Sequence, residues 1–195
     1  TNNSLIQHHQ EHLDLEAIIN ERTFELNVTL RELQETNLQL QEQATNDALT
    51  GVKNRKFFDQ RLIAEYRLSR RQHTPITLLL LDVDKFKLVN DNYGHLTGDK
   101  VLIEICNIAS KMLKRPNDYV CRYGGEEFPI LVTGLSEEDT LFLGNKVLNA
   151  VRNNEKVIQL VAKYKRKITV SIGISTFKPN EPVDEFTNEE IFRIS

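Results

Sequence analysis

Ile76-Thr77-Leu78-Leu79-Leu80-Leu81 runs directly into Asp82-Val83-Asp84-Lys85-Phe86-Lys87. A short, leucine-rich run bounded by Pro75 and by acid has the length and composition of a buried strand, with Asp82 as its expected stop. Working outward, Phe57 to Arg71 spaces its apolar residues as an amphipathic helix and ends before Pro75. Residues 85–93 read as a short helix, and Gly98 to Lys114 as a longer one with Val101, Leu102, Ile105, Ile108 and Met112 on one face. Tyr119–Arg122 and Phe128–Thr133 flank Gly124-Gly125 as a hairpin. Ser136-Glu137-Glu138-Asp139 opens a further helix that runs to about Asn153, and Lys167–Ser175 is apolar and alternating enough for a last strand. This order predicts an α/β fold with a mixed central β-sheet flanked by helices.

The front of the chain differs. Residues 1–47 lack glycine and proline and are rich in Glu, Gln, Asn and Leu. From Ile19 a heptad places Ile19, Leu26, Leu33 and Leu40 at d, with Thr23, Leu30, Asn37 and Ala44 at a. A seam repeating every 3.5 residues predicts a left-handed coiled coil, and Asn37 at a suits a parallel homodimer, because two facing amides pair in one register. Before Ile19 the seam fails, and His8 and His12 read as part of a solvated helix face. Two units follow: residues 1–45 as a signalling helix and 46–195 as a globular domain.

Composition narrows the function. The chain has 195 residues with 25 basic and 28 acidic side chains, a net charge of −3 that excludes a domain built around a basic nucleic-acid footprint. No apolar run reaches membrane-spanning length. The two cysteines, Cys106 and Cys121, sit in apolar segments without metal-ligand spacing and read as reduced core thiols, which favours a cytoplasmic location.

The chemistry gathers at two strand ends. Asp82 and Asp84 stand where the apolar strand meets a helix start, a place suited to Mg²⁺ and to phosphate on the helix amides. Taken alone, Asp84 as a helix cap and Asp82 as a strand terminator explain the same residues. Glu126 and Glu127, directly after Gly124-Gly125, are harder to explain as structure: their charges repel unless a cation joins them and Asp82.

With those residues in view, the chain resembles the GGDEF family of diguanylate cyclases, in the Gly-Gly-Glu-Glu-Phe form. The likeness covers roughly residues 46–195. It comprises Asp47-Ala48-Leu49-Thr50-Gly51-Val52-Lys53-Asn54-Arg55, Asp82 to Lys87 with Asn90-Asp91, Gly94-His95 with Gly98-Asp99, Arg122 to Phe128, and Thr169 to Ser175. Several ordered motifs at compatible spacing carry far more weight than one.

The resemblance implies a cyclase-like, palm-like fold and the joining of two GTP into cyclic di-GMP with release of two pyrophosphates. It implies two Mg²⁺ (or Mn²⁺) ions per active site, held by Asp82, Glu126 and the backbone carbonyl of Val83, with Glu127 as a further ligand or near the attacking hydroxyl. Lys85, Phe86 and Lys87 fall at the β- and γ-phosphates, Asn90 and Asp99 at guanine, and His95 against the same nucleotide. Arg115 and Asp118 match the family's RxxD motif for inhibition by bound cyclic di-GMP. A catalytically inactive module that binds GTP or cyclic di-GMP as a receptor is the alternative. The resemblance further implies an upstream sensory domain, a parent protein compatible with membrane attachment, and a C-terminal end cut short of the family's final helix. Pro129, directly after the motif, requires its strand to be locally unpaired or at an edge.

Overall fold

The computed structural model describes residues 2–164 and 167–179. The chain divides into two compact units, Thr1–Ala44 and Thr45–Ser195. The first is the body of helix α1 (Asn2–Thr45). Its seam residues Leu26, Leu33 and Leu40 are 60%, 62% and 59% exposed, an apolar stripe left open among the described residues. The side chains of His8 and His12 lie outside the described residues.

The second unit comprises β1 (Lys53–Asn54), α2 (Arg55–Gln72), β2 (Ile76–Val83), α3 (Phe86–Tyr93) and α4 (His95–Met112). It continues through β3 (Tyr119–Arg122), β4 (Glu127–Thr133), α5 (Glu137–Arg152), α6 (Glu155–Leu160) and β5 (Val170–Phe177). The five strands form one mixed sheet ordered β1-β3-β4-β2-β5, in which β1–β3 is parallel and the other pairings are antiparallel. This is the expected architecture, with β2 flanked on both sides.

Alternation along β2 sends Leu79, Leu81 and Val83 into a core with Val101, Leu102 and Ile105 of α4 and Val147 and Val151 of α5. Leu78, Leu80 and Asp82 take the opposite face. There α2 packs Phe57 against Tyr119 and Phe58 against Tyr123, each edge to face. Asn54 starts α2 by accepting the Phe57 amide at 3.0 Å, and Ser136 starts α5 by accepting the Asp139 amide at 3.0 Å.

Two expectations need correction. Asp82 does not stop β2: it pairs with Glu127 on one side and Ser171 on the other, and Val83 still pairs with Val170. Helix α4 begins at His95, three residues before Gly98, directly after Gly94, whose φ of 81° separates α3 from α4. The short helix α6 and strand β1 carry too little periodicity to be read from sequence. Pro129 sits on a central strand, in register with Leu80, while the β3–β4 ladder covers Tyr119↔Leu131 and Val120↔Ile130 and stops before it. The strand is therefore locally unpaired toward β3, and the proline costs no ladder bond there. Among the described residues, no helix is long and apolar enough to cross a membrane.

Candidate active site

The C-terminal end of β2, the start of β4 and the turn before it bring the acidic residues together. Asp82 lies directly across from Glu127, so both side chains take the same face of the sheet. Glu126 precedes them in the turn, half-buried. Burial raises the Asp82 carboxyl above the usual carboxylate range, and the charges of Glu126, Glu127 and Asp84 raise it further. Among the described residues no group of three His, Cys, Asp or Glu side chains forms a ready-made metal cage. Mg²⁺ is usually held by one or two carboxylates and completed by water and substrate phosphates. The donor set fits a hard divalent cation: oxygen ligands only, with unneutralised negative charge.

Asp84 is held differently. Its carboxylate accepts the Thr169 hydroxyl at 2.5 Å and the Ser171 hydroxyl at 2.6 Å, and its amide donates to the Thr169 carbonyl at 3.1 Å. It ties the end of β2 to the start of β5 and caps no helix. Lys85 follows with φ 56°, one of two non-glycine residues in the left-handed region among the described residues, and no side chain caps the first amides of α3. Such a backbone costs on the order of 1 kcal/mol or more and is characteristic of functional turns. The result is an uncapped helix start with an exposed Lys87 and a buried Phe86 that anchors it.

A cleft of about 550 Å³ opens at this point, lined by Asp82, Asp84 and Lys85 and continuing along Leu88, Tyr93 and Ile168. Asn90 and Asp99 are not in its lining. They are half-buried on α3 and α4, and the Asn90 amide lies against Gly98, next to Asp99. His95 is exposed at the first position of α4. Arg115 and Asp118 lie at the other end of the β3–β4 hairpin. Arg115 Nη1 donates to the Thr133 carbonyl at 2.9 Å, and the Asp118 amide donates to the Arg115 carbonyl at 3.1 Å. Burial raises the Asp118 carboxyl, with Arg115 opposing the shift, and its buried Oδ1 has no hydrogen-bond partner.

The Gly-Gly turn has a support that the sequence did not disclose. Gly125 adopts φ 51°, which glycine reaches without strain. Its carbonyl accepts Arg122 Nε at 2.9 Å, and Arg122 Nη1 reaches Asp47 at 3.1 Å. Asp47 also accepts the Thr50 amide at 2.9 Å and hydroxyl at 2.7 Å. Burial pushes the Asp47 carboxyl up, but Thr50 and Arg122 together hold it below the usual range. Arg55 stacks over the Tyr123 ring at 4.2 Å. The turn opening the globular unit is thus tied through one arginine to the turn carrying Glu126.

The mixed sheet flanked by helices, with carboxylates paired at a strand end and an adjoining cleft, is a palm-like fold. The family profile described as "Diguanylate cyclase, GGDEF domain" matches residues 44–189, and the chain belongs to that family. Diguanylate cyclase DgcZ of Escherichia coli is 37% identical over 140 residues, covering 71% of this chain and 45% of the relative. Diguanylate cyclase DosC of the same species is 37% identical over 128 residues, 66% of this chain and 27% of the relative. The chain therefore spans less than half the length of these relatives. The coiled coil and GGDEF domain of DgcB from Caulobacter crescentus, solved with c-di-GMP, superposes with a TM-score of 0.75 at 28% identity, covering 84% of this chain and 85% of that one. Diguanylate cyclase SiaD of Pseudomonas aeruginosa, solved with its activator SiaC, gives 0.67 at 30% identity over 98% of this chain and 70% of that one.

Proposed function

We propose that this chain is the catalytic part of a diguanylate cyclase that condenses two GTP into cyclic di-GMP. The observation that carries the reading is the Asp82 carboxylate, which lines the cleft, stands directly across the sheet from Glu127 and is acted on by the charges of Glu126 and Glu127. In each half-reaction the 3′-oxygen of one GTP forms a bond to the α-phosphorus of the other, and the bond to the β-phosphate oxygen breaks to release pyrophosphate. Asp82, Glu126 and the Val83 carbonyl would hold two divalent cations, Mg²⁺ or Mn²⁺, which when bound would supply neutralising charge and lower the pKa of the attacking hydroxyl. Glu127 accepts the proton of that hydroxyl. The amides of Phe86 and Lys87 at the start of α3, with the Lys85 and Lys87 ammonium groups, bind the β- and γ-phosphates.

Asn90 and Asp99 read guanine. A carboxylate accepts from N1–H and the 2-amino group together, a donor pair that adenine lacks. His95 rests against the same nucleotide from the start of α4. One chain binds one GTP, so the two-fold product requires two chains, and the exposed seam of α1 pairs them as a parallel homodimer. Cyclic di-GMP returns to Arg115 and Asp118 as an inhibitor, and an upstream sensory domain sets the state of the coil. The globular unit works in the cytoplasm.

Incubation of the chain with GTP and Mg²⁺, followed by product chromatography, tests the reading. Cyclic di-GMP and pyrophosphate are expected. Unchanged GTP with tight nucleotide binding would instead make the chain a receptor.

A further inference from the structure

Gly98 lies buried inside α4, where glycine is the less favourable choice. Its φ is not positive, unlike those of Gly51, Gly94, Gly125 and Gly134, so backbone conformation does not demand it. Space does. A Cβ at this position would stand 2.0 Å from Asn90 Oδ1, 3.1 Å from Asn90 Cγ and 3.1 Å from Phe86 Cζ. The room a side chain would occupy is filled by the Asn90 amide.

We propose that Gly98 is a specificity-determining positioning residue, whose missing side chain makes the hollow that seats the Asn90 amide beside Asp99 for recognition of a guanine base. The two residues differ in how far they can yield. Phe86 is buried one helical turn before Asn90 and belongs to the core. The Asn90 backbone is tied at the end of α3, where its carbonyl accepts the Gly94 amide at 2.8 Å, and that same Gly94 carbonyl accepts the Gly98 amide at 3.1 Å. The Asn90 side-chain amide alone has a loose end. An added methyl at position 98 therefore ejects the amide and leaves the two helices in place. Asp99, one residue on, keeps its position while its neighbour loses registry, so the expected defect is in base recognition and not in the fold.

The inference rests on the reading that Asn90 and Asp99 bind guanine. The test measures dissociation constants of the full chain for the β,γ-imido analogues of GTP and ATP with Mg²⁺, alongside melting temperature, in wild type, Gly98→Ala, Asn90→Ala, Asp99→Asn and the Gly98→Ala/Asn90→Ala double variant. Gly98→Ala is expected to weaken the GTP analogue about tenfold, equivalent to about 1.4 kcal/mol, and to reduce its preference over the ATP analogue. Asn90→Ala alone should do the same, and the double variant should be no worse than Asn90→Ala, because both changes remove one contact. Losses that add in the double variant, or an unchanged base preference in Gly98→Ala when Asn90→Ala has lost it, would overturn the role of Gly98 while leaving the guanine reading intact. An unchanged preference in both Asn90→Ala and Asp99→Asn would remove the guanine reading, and this inference with it. If Gly98→Ala melts far below wild type, recovery in the double variant supports the hollow, and no recovery overturns it.

Discussion

Glu126→Gln should make the protein more stable and less active at once. Glutamine keeps the size of the side chain and removes the strongest of the three charges acting on Asp82, whose carboxyl is raised first by burial and then by Glu126, Glu127 and Asp84. Because the folded Asp82 holds its proton to higher pH than the unfolded chain does, its ionisation opposes folding. The penalty is absent in strong acid and appears in full as pH rises through the folded pKa toward neutrality. An interaction between partly exposed charges is worth about 0.2–1 kcal/mol. At about 2–4 °C per kcal/mol for a chain of this size, the variant should melt about 0.5–4 °C higher near neutral pH with divalent cations chelated. The difference should close on acidification. Mg²⁺ should raise the wild-type melting temperature more than that of the variant, since one anionic ligand is gone. Turnover should fall about a hundredfold or more, the loss expected when several kcal/mol of charge stabilisation is withdrawn. A variant that melts at or below wild type in chelator, or that gains as much as wild type from Mg²⁺, would refute the electrostatic account of this site.

Three further outcomes are expected. Leu33→Asp with Leu40→Asp places two charges on the exposed seam of α1, so sedimentation should show a monomer, and turnover at low protein concentration should be lost while GTP binding persists. Arg122→Gln breaks the 3.1 Å contact to Asp47 and the 2.9 Å bond to the Gly125 carbonyl, costing about 2 kcal/mol or about 4–8 °C. Since the folded Asp47 carboxyl is depressed, its contribution is present above the ordinary carboxylate range and lost as pH falls through the folded value, so the deficit of Arg122→Gln should shrink in acid. Arg115→Ala should raise the cyclic di-GMP concentration for half-inhibition at least about tenfold, or about 1.4 kcal/mol, with initial velocity nearly unchanged; an unshifted inhibition curve would leave Arg115 only its bond to the Thr133 carbonyl.

The sheet and its helices were legible because each element buries one face and its period shows in the sequence: leucines on β2, Val101 through Ile108 on α4, the cap at Ser136. What escaped depends on contacts between residues far apart in the chain. Asp84 reads as a helix cap until Thr169 and Ser171, more than eighty residues later, are seen to donate to it. Arg122 reads as a strand end until Asp47 is placed beside it. The extension of β2 through Asp82 could not be read locally, since an acid on a strand is tolerated when it faces an open strand end on one side of the sheet, and only the pairing with Glu127 and Ser171 reveals that it does. Gly98 reads from the sequence as the start of its helix, and only the start of α4 at His95 places it inside the helix, against the Asn90 amide of the neighbouring one.

Asp82, Glu126 and Glu127 are where local and global preferences conflict. Alternation along β2 calls for a residue that tolerates the α2-facing side near the sheet edge, and any small polar side chain would satisfy it more cheaply than a third carboxylate. Pairing adds to the cost, because register sets Asp82 directly against Glu127, and the turn supplies Glu126 alongside. The surrounding structure holds that arrangement firmly through Asp84 bonded across to β5, Arg122 bonded to the turn carbonyl, and a buried Phe86 fixing the start of α3. Rigid support for mutually repelling charges is the expected design of a site whose charge would be balanced by a divalent cation during function. If function did not need those charges together, relaxing the turn or replacing one acid would stabilise the fold. That is why the opposite signs expected for Glu126→Gln, a higher melting temperature with lower turnover, test the function more sharply than loss of activity alone.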